Sequence, residues 1–284
     1  MTSTSDMPAV VLPGDESVPA LGQGTWMMAT RRQKRADEIA ALRLGVDLGM
    51  TVIDTAEMYG DGAAEELVAE ALGDRRREVF LVSKVMPQNA SRRGTIAACE
   101  ASLRRLQTDR LDLYLLHWRG SVPLADTLAS FDALLREGKI RYWGVSNFDT
   151  DDMEELARLS DGLPSVACNQ VLYNVNRRGI EHDLLPWCER HSVPMMAYSP
   201  LEQAKLVDHK ALRDVARRLG ATPAQVALAW VLRKRQVIAI PKSGRVNGVQ
   251  ENHGALDVRL GPVDLKAIDD AFPPPKRKVR LEMI

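Results

Sequence analysis

Apolar residues recur along the chain as short unbroken runs: Leu21–Gly24, Thr51–Asp54, Val79–Ser83, Leu111–Leu116, Tyr142–Val145, Val166–Asn169, Pro194–Tyr198 and Val237–Ile240. They do not alternate polar and apolar positions, the pattern expected of strands covered on both faces of a parallel sheet. Stretches with helical spacing lie between and after them. The first runs from about Arg35 to Leu48 and stops at Gly49. Others cover Ala63–Leu72, Gly94–Leu106, Leu124–Leu135, Asp151–Leu159, Ile180–His191, Lys210–Leu219, Pro223–Lys234, Val246–Leu256 and Pro262–Phe272. Thr222-Pro223 supplies an N-cap followed by proline at the first helical position. Ahead of the first unit, Pro13-Gly14 separates two short apolar stretches, which predicts a β-hairpin.

Eight strand–helix units in 284 residues predict a closed (β/α)₈ barrel, the TIM barrel, of the α/β class. It would carry the N-terminal hairpin and an extra C-terminal helix. A doubly wound open sheet would give the same alternation, but no Gly-x-Gly-x-x-Gly follows the first strand, which weighs against it. No linker or low-complexity tract divides the chain, so residues 1–284 are expected to form one barrel domain. Residues 273–284 form a basic, proline-rich C-terminal tail, expected to be solvated or to wrap the surface.

Charge narrows the function classes. Lys+Arg 38 balances Asp+Glu 38, which argues against a nucleic-acid or membrane-surface partner. No stretch reaches the roughly 18–20 apolar residues that span a bilayer, and residues 1–10 lack the basic and apolar character of a leader. Cys99, Cys168 and Cys188 are odd in number and have no metal-like spacing, as expected of reduced thiols in a cytoplasmic protein. The five histidines also lack a metal-ligand spacing, so no metal site is expected.

The carboxyl ends of the strands carry the chemistry. Asp54, Ser83-Lys84, His117, Ser146-Asn147, Asn169-Gln170, Tyr198-Ser199 and Lys242-Ser243 each stand where an apolar run ends, and in a barrel those positions meet on one rim. Taken alone, Asp54 followed five residues on by Tyr59 is either a catalytic edge or a capped loop. A phenol ordinarily titrates near pH 10. An ammonium about 4 Å away would favour its phenolate by about 4 kcal/mol at an effective dielectric of 20, before burial subtracts from that. Lys84 would be that cation, kept charged by Asp54, with His117 beside the carbonyl oxygen that Tyr59 would protonate. Ser146 has no evident base and no nucleophile elbow is present.

Gly22-Gln23-Gly24-Thr25-Trp26, Ile53-Asp54-Thr55-Ala56-Glu57-Met58-Tyr59-Gly60, Ser83-Lys84, Leu113–Trp118, Gly144–Phe148, Asn169-Gln170-Val171, Ala197–Leu201 and Ile240–Ser243, in this order, resemble the aldo-keto reductase superfamily. The resemblance spans nearly the whole chain. It implies a barrel that reduces carbonyls with NADPH (oxidised form NADP⁺), NADH being the weaker partner. It further implies Asp54, Tyr59, Lys84 and His117 as the catalytic tetrad, with Tyr59 as proton donor. Ser146, Asn147 and Gln170 would hold the nicotinamide carboxamide, and Tyr198 would stack on its ring. Ser199 and Leu201 would line the pyrophosphate, Lys242 and Ser243 the adenosine 2′-phosphate, and Glu251 and Asn252 the adenine. Many members have an arginine at the position of Gly248, and Arg245 would replace it.

Within the family, Leu185–Cys188 and Met195–Leu201 look most like bacterial reductases of methylglyoxal and other small aldehydes. Trp26, Met58, Met86 and Trp118 are the substrate-pocket candidates by position. The short Arg119–Pro123 segment and short tail imply an open pocket for a small carbonyl substrate. A monomer or weak oligomer is expected. The alternative function is a non-catalytic NADP(H)-sensing regulatory subunit, which the intact tetrad disfavours.

Overall fold

The computed structural model describes residues 7–31, 34–161 and 166–284; the start of the chain weighed as a leader lies partly outside them, at residues 1–6. The chain enters through an antiparallel hairpin, β1 (Ala9–Val11) and β2 (Ser17–Pro19), with Val10 opposite Val18. Then come the barrel strands: β3 (Gln23–Gly24), β4 (Val52–Asp54), β5 (Phe80–Val85), β6 (Leu111–Leu116), β7 (Ile140–Ser146), β8 (Val166–Leu172), β9 (Met195–Tyr198) and β10 (Val237–Ala239). They form one 8-stranded sheet in sequence order, every pair parallel.

The ring closes between its first and last strands. Leu21 bridges Ala239, the Gly22 N–H donates to the Ala239 carbonyl at 2.8 Å, and the Gly24 N–H reaches the Pro241 carbonyl at 3.1 Å. Glycine is required at this seam, since a Cβ on Gly22 would stand 2.6 Å from the Val52 carbonyl oxygen and one on Gly24 2.8 Å from that of Ile240. The chain is therefore a (β/α)₈ barrel.

The helices are α1 (Arg35–Asp47), α2 (Ala63–Leu72), α3 (Arg92–Leu106), α4 (Leu124–Arg136), α5 (Thr150–Leu159), α6 (Leu184–Arg190), α7 (Lys210–Leu219), α8 (Pro223–Leu232), α9 (Val246–His253) and α10 (Pro262–Ala271). Most ends agree within two residues, but two of the expected helices are clearly shorter than their apolar pattern. The stretch 180–191 divides into a 3₁₀ turn at Gly179–Glu181 and α6, because Pro186 has no N–H for the His182 carbonyl and is accommodated only in a first turn. The stretch 246–256 leaves α-helical geometry at Gly254, where a Cβ would collide with the Gln225 amide.

Two apolar layers result. The larger lies between strands and helices; the smaller fills the barrel, with Val52, Val82, Leu113, Leu115, Met196 and Ile238 joined from below by Val10, Leu12 and Val18 of the hairpin. At that lower end Glu16 pairs with Arg141 and accepts from Tyr142 at 2.7 Å. Asp112, buried, accepts from Arg76 at 2.8 Å, Arg141 at 3.0 Å and the Leu81 N–H at 2.9 Å. All three cysteines are free and buried, and burial pushes the Cys99 and Cys188 thiols up to about 12. Among the described residues no helix is long and apolar enough to cross a membrane. The C-terminal tail wraps the surface: Arg178 donates to the Phe272 carbonyl at 2.6 Å, Lys278 lies 3.3 Å from Asp151, and Leu281 packs on the main core.

Candidate active site

The carboxyl ends of the barrel strands surround a cleft of about 640 Å³. Asp54 ends β4, and Lys84 lies near the end of the neighbouring β5, its side chain 0% exposed. A buried ammonium is tolerated only if its charge and all three N–H donors are met. Here Nζ reaches the Asp54 carboxylate at 2.8 Å, the Thr55 carbonyl at 2.8 Å and the Tyr59 hydroxyl at 3.2 Å. Burial works against the charge, but Asp54 and the Tyr59 oxygen more than restore it, so the Lys84 pKa is raised. Asp54 Oδ1 also accepts from the Gln170 side-chain amide at 2.7 Å.

Tyr59 is presented by the tight loop between β4 and α2, where its N–H donates to the Ala56 carbonyl and the following Gly60 and Gly62 take left-handed φ values of 60° and 90°. Its pKa is raised, contrary to the shift expected from a nearby ammonium alone: burial outweighs the opposing pull of Lys84, and the Asp54 charge adds to burial. The phenol is therefore a proton-bearing group throughout the neutral range. Glu57, on the same loop, turns away from Lys84 and accepts from the Met86 N–H at 2.7 Å and the Asn89 amide at 3.0 Å. It fastens the Tyr59 loop to the segment after β5.

His117 follows β6, with its ring edge-on to Tyr59 at 5.9 Å and against Trp118 at 4.8 Å. Burial, aided by the Lys84 charge, pushes its pKa down to about 2, so the imidazole is neutral. Its Nδ1 is buried without a protein partner.

Next around the rim is a row of polar groups. The Ser146 hydroxyl donates to the Gln170 carbonyl at 2.8 Å, and the Asn147 amide donates to the His117 carbonyl at 3.1 Å and to Ser146 Oγ at 3.1 Å. Tyr198 donates to Asn147 Oδ1 at 2.9 Å. Ser199, Pro200 and Leu201 continue the wall into Gln203 and Ala204, and Lys242 stands on it beyond Pro241. Burial and the nearby Lys34 and Arg245 charges lower the Lys242 pKa, partly offset by Glu38. Arg245, Gly248 and Glu251 line a further groove of about 360 Å³, while Asn252 is buried on α9. Ser243 Oγ donates to the Arg245 carbonyl at 3.0 Å, and a Cβ on Gly248 would stand 2.3 Å from Ser243 Oγ. An arginine at position 248 is thus sterically incompatible with this placement of Ser243.

The aldo/keto reductase family profile matches residues 20–272. The chain belongs to the aldo/keto reductase family. It is 51% identical to the methylglyoxal reductase YeaE of Escherichia coli (strain K12), covering 95% of this chain and 97% of the relative. It is 34% identical to the glyoxal reductase of Bacillus subtilis (strain 168), covering 94% and 93% respectively. Among solved structures, an aldo-keto reductase from Klebsiella pneumoniae in complex with NADPH superposes with a TM-score of 0.95 at 51% identity, covering 98% of this chain and 99% of that one.

In this reductase Asp54, Tyr59, Lys84 and His117 come together at one end of the cleft, with Ser146, Asn147, Gln170 and Tyr198 around them. Of the four pocket candidates, Trp26, Met58 and Trp118 line the cleft. Met86 does not: its N–H donates to Glu57 at 2.7 Å and its sulfur accepts from the Gln88 amide at 3.6 Å, outside the cleft lining. Met27, Gln203, Ala204, Met283 and Ile284 line the cleft without having been singled out by sequence reasoning. They stand in loops and in the tail, where no periodicity or strand end marks a direction.

Proposed function

We propose that this reductase converts small aldehydes and ketones to alcohols with NADPH, that dicarbonyls such as methylglyoxal are among its substrates, and that Tyr59 is the proton donor. The observation that carries this reading is the Tyr59 hydroxyl, 3.2 Å from a buried ammonium that is itself 2.8 Å from Asp54, beside a neutral imidazole in an open cleft. The raised Tyr59 pKa keeps the proton on the phenol until the carbonyl oxygen gains charge, and Lys84 then stabilises the phenolate left behind. Neutral His117 offers a hydrogen bond to the same oxygen without competing as an acid.

The cleft suits the cofactor by the chemistry of its groups. Amide and hydroxyl groups of Ser146, Asn147 and Gln170 stand beside the aromatic face of Tyr198. The wall then passes Ser199 and Leu201 to Lys242, with Arg245 near it in the further groove, matched to a nucleotide whose far end bears an extra phosphate. NADPH, when bound, supplies the hydride. Ser146 and Asn147 would orient the nicotinamide amide, with the Gln170 carbonyl alongside, and Tyr198 would cover the ring. Lys242, Ser243 and Arg245 would meet the 2′-phosphate, with Glu251 and Asn252 towards the adenine; NADH, lacking that phosphate, would bind more weakly. Trp26, Met58 and Trp118 bring no charge to the carbonyl end, in keeping with small neutral substrates. The E. coli and B. subtilis relatives, named for methylglyoxal and glyoxal, support that substrate class.

Replacing Tyr59 with phenylalanine tests the reading. General acid catalysis is worth about 10²–10⁴-fold, so Tyr59→Phe should lower kcat for methylglyoxal by that order while NADPH still quenches tryptophan fluorescence. Near-normal turnover in this variant would remove Tyr59 as the acid.

A further inference from the structure

The loop after β8 carries groups that neither the chemistry nor the cofactor reading uses. Asn174 donates to the Ser199 carbonyl at 2.9 Å and to the Glu202 carboxylate at 2.7 Å, and its Oδ1 accepts from the N–H groups of Asn176 and Arg177, each at 2.9 Å. Arg177 Nε lies 2.8 Å from Glu202 Oε1, while Nη1 of the same guanidinium lies 2.5 Å from Glu282 Oε1 in the tail. The adjacent Arg178 holds the Phe272 carbonyl and pairs with Asp269 at 2.7 Å. Neighbouring arginines thus grip the tail where it leaves α10 and again just before Met283.

Both partners of Arg177 belong to segments that wall the cleft. Glu202, 6% exposed, opens a run of left-handed backbone, with φ of 49°, 55° and 69° at Glu202, Gln203 and Ala204. Non-glycine residues resist that conformation and persist in it only where surrounding contacts over-determine them; here those contacts come from Asn174 and Arg177. On the other arm, Glu282 precedes Met283 and Ile284, which line the cleft. A guanidinium fork can engage two carboxylates at once, which an ammonium on a flexible stem cannot do with the same geometry.

We propose that Arg177 is a positioning residue that couples the 199–204 segment to the tail, so that cofactor binding and carbonyl binding are linked through one guanidinium. The inference rests on the reading of the cleft as an NADPH and carbonyl site. Such linkage is reciprocal: a change confined to the tail must alter NADPH affinity, and a change at Glu202 must alter carbonyl binding.

The test is fluorescence titration of NADPH together with steady-state kinetics on methylglyoxal. Glu282→Gln, altered only in the tail, should raise the NADPH Kd roughly threefold, as for loss of a half-exposed ion pair, and raise KM for methylglyoxal. Arg177→Ala should raise both, and adding Glu282→Gln to it should change neither further. Should the alanine variant not fold, Arg177→Lys, which lacks the fork, serves the same comparison. An NADPH Kd for Glu282→Gln within about 1.5-fold of wild type, or an undiminished effect of that change in the Arg177 variant, overturns the coupling alone. Failure of the wild-type protein to bind NADPH overturns both the coupling and the cofactor reading.

Discussion

Lys84 has three N–H donors and three acceptors within reach, which is why a lysine with no exposed surface keeps its charge. His117, edge-on to Tyr59, responds to the same burial in the opposite sense and stays neutral. Its folded pKa of about 2 lies below the ordinary value of about 6.5, so the unfolded chain takes up the proton first as pH falls. Its contribution to stability is therefore present above about pH 6.5 and is lost below it, at up to about 1.4 kcal/mol per pH unit. Urea unfolding between about pH 7 and 4.5 should show a steep decline in wild type and a shallower one in His117→Asn; equal slopes would refute the burial of a neutral imidazole. The identities of Asp54, Lys84 and His117 were legible as polar groups ending apolar runs. The direction of the Tyr59 shift was not, because charge partners can be guessed from strand order whereas the depth of burial cannot.

At the scale of elements, local signals located most boundaries. Thr222 and Gln225 form a capping box before α8, Asp149 and Asp152 form one before α5, and the hairpin turns at Pro13-Gly14 as the composition required. The shortest strand, β3, is held by close packing, for Gly22 and Gly24 let the backbone lie against both neighbouring strands. Gly22→Ala would place a methyl 2.6 Å from the Val52 carbonyl oxygen and 2.8 Å from Val52 Cβ, both on a strand that cannot easily retreat. Overpacking of this kind costs about 1–3 kcal/mol, and a thermal melt should register it as a clear fall in Tm. An unchanged Tm would mean that the seam is looser than its contacts imply. Periodicity extended two helices too far, one back into the 3₁₀ turn Gly179–Glu181 and one forward past Gly254, because apolar spacing persists into 3₁₀ turns that pack on the same core.

Across the whole molecule the two ends of the barrel separate stability from chemistry. The lower end is closed by the hairpin and by Asp112, which binds Arg76, Arg141 and the Leu81 N–H. Asp112→Ala would leave the buried Leu81 N–H unsatisfied and remove one acceptor from each arginine, at a cost of about 1–3 kcal/mol, so Tm should fall by several degrees while kcat on methylglyoxal changes little. A large loss of kcat in a folded Asp112 variant would show that the two ends are not independent. The upper end gathers its groups from strands, loops and the tail, several of them more than a hundred residues apart, as Gln170 is from Asp54. The eightfold alternation, the barrel and the polar identity of its rim were determined by sequence alone. Strands buried on both faces must be apolar throughout, which leaves polar side chains at their ends. Tertiary structure alone decided that Glu57 fastens the Tyr59 loop to the segment after β5, that Met86 lies outside the cleft and that the tail returns to its wall. It also decided that burial outweighs Lys84 at Tyr59. Each of these depends on side-chain direction and desolvation, which are set by neighbours distant along the chain.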